Sequence, residues 1–480
     1  MIVTHIASFL RYDSVSDPGS GFTGPFSTTT EYIVAGFFVP GDGGGGTFIW
    51  IEPSVGTPWP AEDRGIILYN TNNTNGYFKR IYSGPINVRW FGAKGDGVTD
   101  DTTAVDAARD SNFIKDGTIY FPESSAGAIT GYVGAFNMRN YNINILGDGV
   151  GSVLKAKNSG GPVLTLGDNP DTNWAFSKIA HIKIDGTDNA SVAHSGVIFS
   201  DPNDPKFAGR WIFEEVVFKN CDKAVYKPHG NIGNSFYNCS WESNNFAYFA
   251  QSVAGMHSGC DKFIGCHITG TTSAGIYLVN DQFGFGQVIL DGTIIEYNPG
   301  FGIFIKCITD NSAVPPNDLP KLLNGAIALR DVWLEGNGEN YNVPVDIVPV
   351  SITDITGTHN YPVSDLRNFR FDGLRGVTVT GGHFYYAELI ESTVTLNGCR
   401  GDLLSPSPNG HVLKVDALSS IDANELFYIG AISENVFVNS IGYDGTGDLW
   451  NNSAIPTSVW GATSYCRSIR QQQRRFWLCF

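Results

Sequence analysis

The chain has 480 residues, enough for two or three domains around a large core. It holds 57 Gly but only 3 Met, and 16% of its residues are charged, which describes strands and turns and excludes a helical bundle. A net charge of -16 repels phosphate backbones and anionic lipid, so neither nucleic acid nor a membrane is an expected partner, while a neutral glycan is unaffected.

The start, Met1 to Ser14, lacks the basic and apolar regions of a signal peptide, and no run has the length of a transmembrane helix. Export by the usual route is therefore not expected. Residues 1–85 read as a small β-rich unit for attachment or capping. Its strand-like runs are Tyr32 to Val39, Thr47 to Ile51 and Gly65 to Tyr69. Gly43 to Gly46 lacks the Lys-Ser/Thr ending of a phosphate-binding loop and reads as a turn.

A strand is expected over Ile86 to Phe91, followed by a glycine turn. Thr99 then reads as a helix N-cap, with Asp100 and Asp101 in the first turn, where carboxylates meet the positive end of the helix dipole. Ala104, Val105 and Ala108 give that helix one apolar face, suited to plugging the end of a solenoid. The Asp96, Asp100, Asp101 cluster reads as turn and cap, not as a metal site.

The segment Ile86 to Ala108, with Gly117 to Pro122 and Ile145 to Gly149 after it, resembles the opening coils of the pectate lyase-like right-handed β-helix superfamily, in the branch of bacteriophage tailspikes and polysaccharide depolymerases. The resemblance spans roughly residues 85–400, and the β-helix is expected over 86–400. It implies an all-β fold, a right-handed parallel β-helix with a short capping helix. It also implies a homotrimer on a virion tail, joined to other tail or baseplate proteins through the N-terminal unit and acting on a bacterial surface polysaccharide such as a capsule, exopolysaccharide or O-antigen.

From about residue 180 the chain repeats, as solenoids do. The quartets Val216 to Lys219, Cys239 to Glu242, Cys266 to Thr269, Thr293 to Glu296 and Val332 to Glu335 align. The steps Glu242 to Thr269 and Thr269 to Glu296 are both 27 residues, and the step to Glu335 is 39. The surplus falls in a loop over Asp310 to Asn324. Alternation turns the first and third positions inward and the second and fourth outward. Lys219, Glu242, Thr269, Glu296 and Glu335 then form one exterior column, and Ser240, His267, Ile294 and Trp333 the next. Asn244, Thr271, Asn298 and Asn337 follow in a turn where asparagines ladder.

Glycoside hydrolysis needs two carboxyl groups flanking one bond. Glu296 and Glu335 on neighbouring rungs would stand about 5 Å apart, inside the retaining range, whereas Glu242 and Glu296 would stand about 10 Å apart, near the inverting limit. Stacked carboxylates repel, which favours a proton on one of them, the form an acid catalyst needs. Trp333 offers an indole platform for a sugar face. His267, Tyr297, Tyr341, Asn298 and Asn337 complete the expected sugar contacts. His257 and Lys262 would supply the base of a lyase, but no Arg and Lys cluster accompanies the Glu column to neutralise a uronate. A lyase, or a non-catalytic glycan-binding spike, is the alternative. No cofactor is implied.

The eight cysteines include no CxxC pair, so zinc is not indicated and they read as buried free thiols. Past Arg400 the repeat fades. Residues 401–480 read as a β-rich region with an oligomerisation role, basic from Arg467 to Phe480.

Overall fold

The computed structural model describes residues 26–70, 73–111, 117–124, 130–139, 143–158, 160–167, 177–199, 210–228, 233–252, 261–280, 288–307 and 327–335, together with Ile2–Val3, Asn337 and individual strands between 350 and 479. Two long parallel sheets dominate it, one of 22 strands and one of 11. This is the right-handed parallel β-helix, each rung stacking on the one before it.

Most rungs from residue 235 to 335 give two short strands to the larger sheet and one to the smaller. Asp261–Ile264, His267–Thr269 and Ala274–Asn280 make one such rung. The first two strands are split by a single residue in the left-handed region: Asn238 (φ 51), Gly265 (φ 62), Gly292 (φ 55) and Asp331 (φ 49) on successive rungs. Asn, Asp and Gly tolerate that conformation, so the corner is written into the sequence as one small or Asx residue per repeat.

The interior follows the alternation. Val216, Phe218, Cys239, Trp241, Cys266, Ile268, Thr293, Ile295, Val332 and Leu334 are all buried. Aromatic rings stack from rung to rung: Phe213 on Phe236 at 4.7 Å, Phe236 on Phe263 at 4.8 Å and Phe218 on Trp241 at 5.1 Å between centroids. Cys221, Cys239 and Cys266 are buried free thiols. Lys227 and Asp261, from different rungs, form a buried ion pair, and Tyr248 and Asn234 also donate to the Asp261 carboxylate. Lone buried charges are costly, and here both are paired.

The helix Thr102–Asp110 (α1) lays Val105 and Ala108 on the first rungs and closes the core. Two expectations are corrected here. Only Ile86–Asn87 is strand, and Val88–Phe91 is a 3-10 turn capped by Asn87. Asp101, not Thr99, is the N-cap residue, and Asp100 and Asp101 precede the first turn. The carboxylates are committed to backbone: Asp96 accepts from Val98 and Thr99, Asp100 from Thr102, and Asp101 from Lys94 and Gly95. Burial, reinforced by Asp96 and Asp100, raises Asp101 to about 6 against those two amide donors.

The N-terminal unit is a five-stranded sheet, antiparallel except for Ile2–Val3 beside Glu31–Val34, with its own core of Phe26, Tyr32, Phe48, Trp50 and Phe78. Asn73–Ile81, a strand the turn-rich sequence conceals, is its longest. The glycine-rich segment is a turn organised by Asp42, whose carboxylate accepts from Phe37, Phe38, Val39 and Gly44. Arg80 is buried against it, donates to the Gly44, Gly45 and Gly65 carbonyls, and is held down to about 9 by that burial. A side chain at Gly46 would collide with the guanidinium, which accounts for glycine there.

Parallel pairing does not stop at Arg400. It runs His383 to Arg400 to Phe427, and Ala431–Ile432 is the last strand of the smaller sheet among the described residues. Cys466–Arg470 and Arg475–Cys479 form a separate antiparallel hairpin.

Candidate active site

The strand pairing reproduces the two exterior columns. Lys219, Glu242, Thr269, Glu296 and Glu335 are register partners in that order. Val217, Ser240, His267, Ile294 and Trp333 form the adjacent column, which continues to His383. Neighbouring rungs of a parallel sheet lie about 4.8 Å apart, so Glu296 and Glu335 stand on adjacent rungs at that spacing, and Glu242 stands two rungs from Glu296. Ile294, Tyr297 and Trp333 are 40%, 43% and 45% exposed, a cluster of large apolar side chains around the two carboxylates.

Each glutamate is oriented by a neighbour. His267 Nε2 lies 3.0 Å from Glu296 Oε1, reaching diagonally across one rung. The Trp333 indole donates to Glu335 Oε2 at 2.8 Å along its own strand. Lys219 Nζ donates to Glu242 Oε2 at 3.1 Å. His267, expected as a sugar contact, touches the Glu296 carboxylate. Sequence spacing could not show this, because the contact depends on side-chain reach between rungs.

A second corner follows the glutamate column: Asn220 (φ 54), Ser243 (φ 56), Gly270 (φ 67) and Tyr297 (φ 52). An aromatic residue in the left-handed region is uncommon, and such strain collects at functional sites. Here it stands Tyr297 outward beside Glu296.

Asn298 and Asn337, expected to contact sugar, are instead 0% and 1% exposed. Asn298 Nδ2 donates to Asn337 Oδ1 at 2.6 Å, and the Asn337 amide donates to the Ile295 carbonyl at 2.7 Å. Their amides are consumed by the interior ladder, so neither reaches the surface. Tyr341, His257 and the Asp310 to Asn324 loop lie outside the described residues. Lys262 is exposed on the outer face, one strand before His267. After Glu335 an antiparallel hairpin, Val350–Asp354 with Gly357–Tyr361, precedes the strand Phe369–Asp372, where pairing with the previous rung resumes, and the Trp333 column continues at His383.

Residues 85–194 match the family model for rhamnogalacturonase A/epimerase, pectate lyase-like domains. Among solved structures, the Acinetobacter phage vB_ApiP_P1 tailspike protein aligns with a TM-score of 0.55 at 13% identity, over 92% of this chain and 72% of that one. The enzymatically active domain of bacteriophage CBA120 tailspike protein 2 aligns with a TM-score of 0.50 at 13% identity, over 88% of this chain and 57% of that one. The fold is that of the pectate lyase-like β-helices and the phage tailspikes. At such identity the likeness is one of architecture. This chain spans little more than half the length of the CBA120 tailspike chain. No curated protein sequence matches it. Glu242, Glu296 and Glu335 all lie beyond the family match, so their arrangement rests on the register alone.

Proposed function

We propose that the protein is a tailspike-type depolymerase that binds a bacterial surface polysaccharide along the larger sheet and hydrolyses its glycosidic bonds with Glu296 and Glu335. The observation that carries this reading is the register pairing of the two glutamates on adjacent outward rungs, with Trp333 beside them. One carboxyl protonates the departing glycosidic oxygen. The other attacks the anomeric carbon, and water then releases the glycosyl group with the first residue acting as base. Trp333 and Tyr297 carry sugar faces, and His267 fixes the Glu296 carboxylate. In this reading Glu242, tied to Lys219 and separated by the Thr269 rung, contacts glycan without reacting. The chain works as a homotrimer on a virion tail, and the N-terminal sheet joins other tail or baseplate proteins.

The test is incubation with a panel of bacterial capsules, exopolysaccharides and O-antigens, the products being sized by mass. The wild type shortens one of them to repeat-unit oligosaccharides. Glu296→Gln and Glu335→Gln each lower the rate by about a thousandfold or more, the scale of losing an acid or nucleophile. Glu242→Gln stays within about tenfold of the wild type. Full activity in both of the first two variants would remove the assignment, and an unsaturated product would replace hydrolysis by elimination.

A further inference from the structure

The outward column beside the glutamates changes character along the axis. Ser240 and His267 offer hydrogen-bonding groups, whereas their register partner Ile294 offers none and remains 40% exposed. Other exposed apolar residues on the described part of the solenoid, Val98, Val150 and Val192, lie on separate segments. Ile294, Tyr297 and Trp333 instead gather on two adjacent rungs. Scattered apolar side chains are ordinary, but a cluster rimmed by polar groups marks a contact surface.

An indole takes the C–H face of a sugar ring. A branched aliphatic side chain beside it does something else: it rewards a methyl group and gives no partner to a hydroxyl. A hydroxymethyl group pressed there loses water without replacing its hydrogen bonds. A carboxylate loses more, because Glu296 projects from the same face two residues further on. We infer that the sugar unit seated on Ile294 bears a methyl group, as a 6-deoxyhexose or an acetylated sugar does, and not a hydroxymethyl or a carboxylate. The inference rests on the reading of this face as a glycan-binding groove, but not on cleavage.

Equilibrium binding of the full chain to thio-linked oligosaccharides, which resist hydrolysis, tests it. One ligand set differs only at C6 (methyl, hydroxymethyl or carboxylate), and a second only in acetylation. The methyl-bearing member of one set binds about tenfold tighter than its hydroxymethyl or deacetylated match, the scale of a small apolar group in an apolar site. The carboxylate shows no measurable binding. Ile294→Ser, with its melting temperature measured as the control for folding, brings that ratio near one. Equal binding within both sets, a preference for the carboxylate, a preference that survives Ile294→Ser, or no binding to any ligand would each overturn the inference. A wild type that shows the preference yet cleaves nothing would overturn only the hydrolase reading.

Discussion

Thr271 is the residue at which the interior ladder breaks. Asn244, Asn298 and Asn337 each donate to the carbonyl of an inward residue on the preceding rung: Phe218, Ile268 and Ile295. Thr271 stands at the same step but is too short to do so, and its buried hydroxyl finds no partner. Thr271→Asn would donate to the Trp241 carbonyl and accept from Asn244. It should stabilise the protein by about 1 kcal/mol, the net value of one buried hydrogen bond, and raise the melting temperature by a few degrees. A lower melting temperature would mean that the rung has no room for the amide. The ladder also explains why Asn298 and Asn337 are buried rather than set to contact sugar. Period-2 alternation assigns faces within a strand, but it says nothing about the turn that follows, where a residue two places after an outward glutamate can swing inward.

At the scale of the element, α1 and the turn before it carry a pH dependence of their own. Asp101 is raised from 3.8 to about 6, chiefly by burial. Below the unfolded value both states hold the proton and the group's contribution is complete. As pH rises through about 6 the folded state must ionise a buried carboxyl, and the contribution is lost. Wild type should therefore lose about 3 kcal/mol relative to Asp101→Asn between about pH 3 and pH 7. Paired denaturation curves of the two proteins at the two pH values measure this, and a gap that does not change with pH would contradict it. The amide's poorer fit to the Lys94 and Gly95 donors adds only a constant offset. The helix itself was legible from its apolar face at Val105 and Ala108. Its start was misplaced because Thr99 resembles a cap while Asp96 captures it: the Thr99 hydroxyl donates to Asp96 Oδ2 at 2.7 Å.

At the scale of the whole molecule, the solenoid is readable because each rung repeats the same inward and outward positions, at a spacing of 27 residues over the two steps from Glu242 to Glu296. The order of both exterior columns followed from counting alone, and the strand register matches it from Lys219 to Glu335. What counting does not give lies off that lattice: the His267–Glu296 contact between rungs, the buried Lys227–Asp261 pair, the parallel pairing that continues past Arg400, and the hairpin after Glu335. In the proposed reaction the two carboxyls are those of Glu296 and Glu335 on adjacent rungs and not those of Glu242 and Glu296 two rungs apart. Carboxyl separation sets the stereochemical outcome. The most direct measurement is a proton NMR time course of the freshly released reducing end. Adjacent rungs predict that the anomeric configuration is retained in the first product, before mutarotation. An inverted first product, or an unsaturated sugar at the new non-reducing end, would contradict the account.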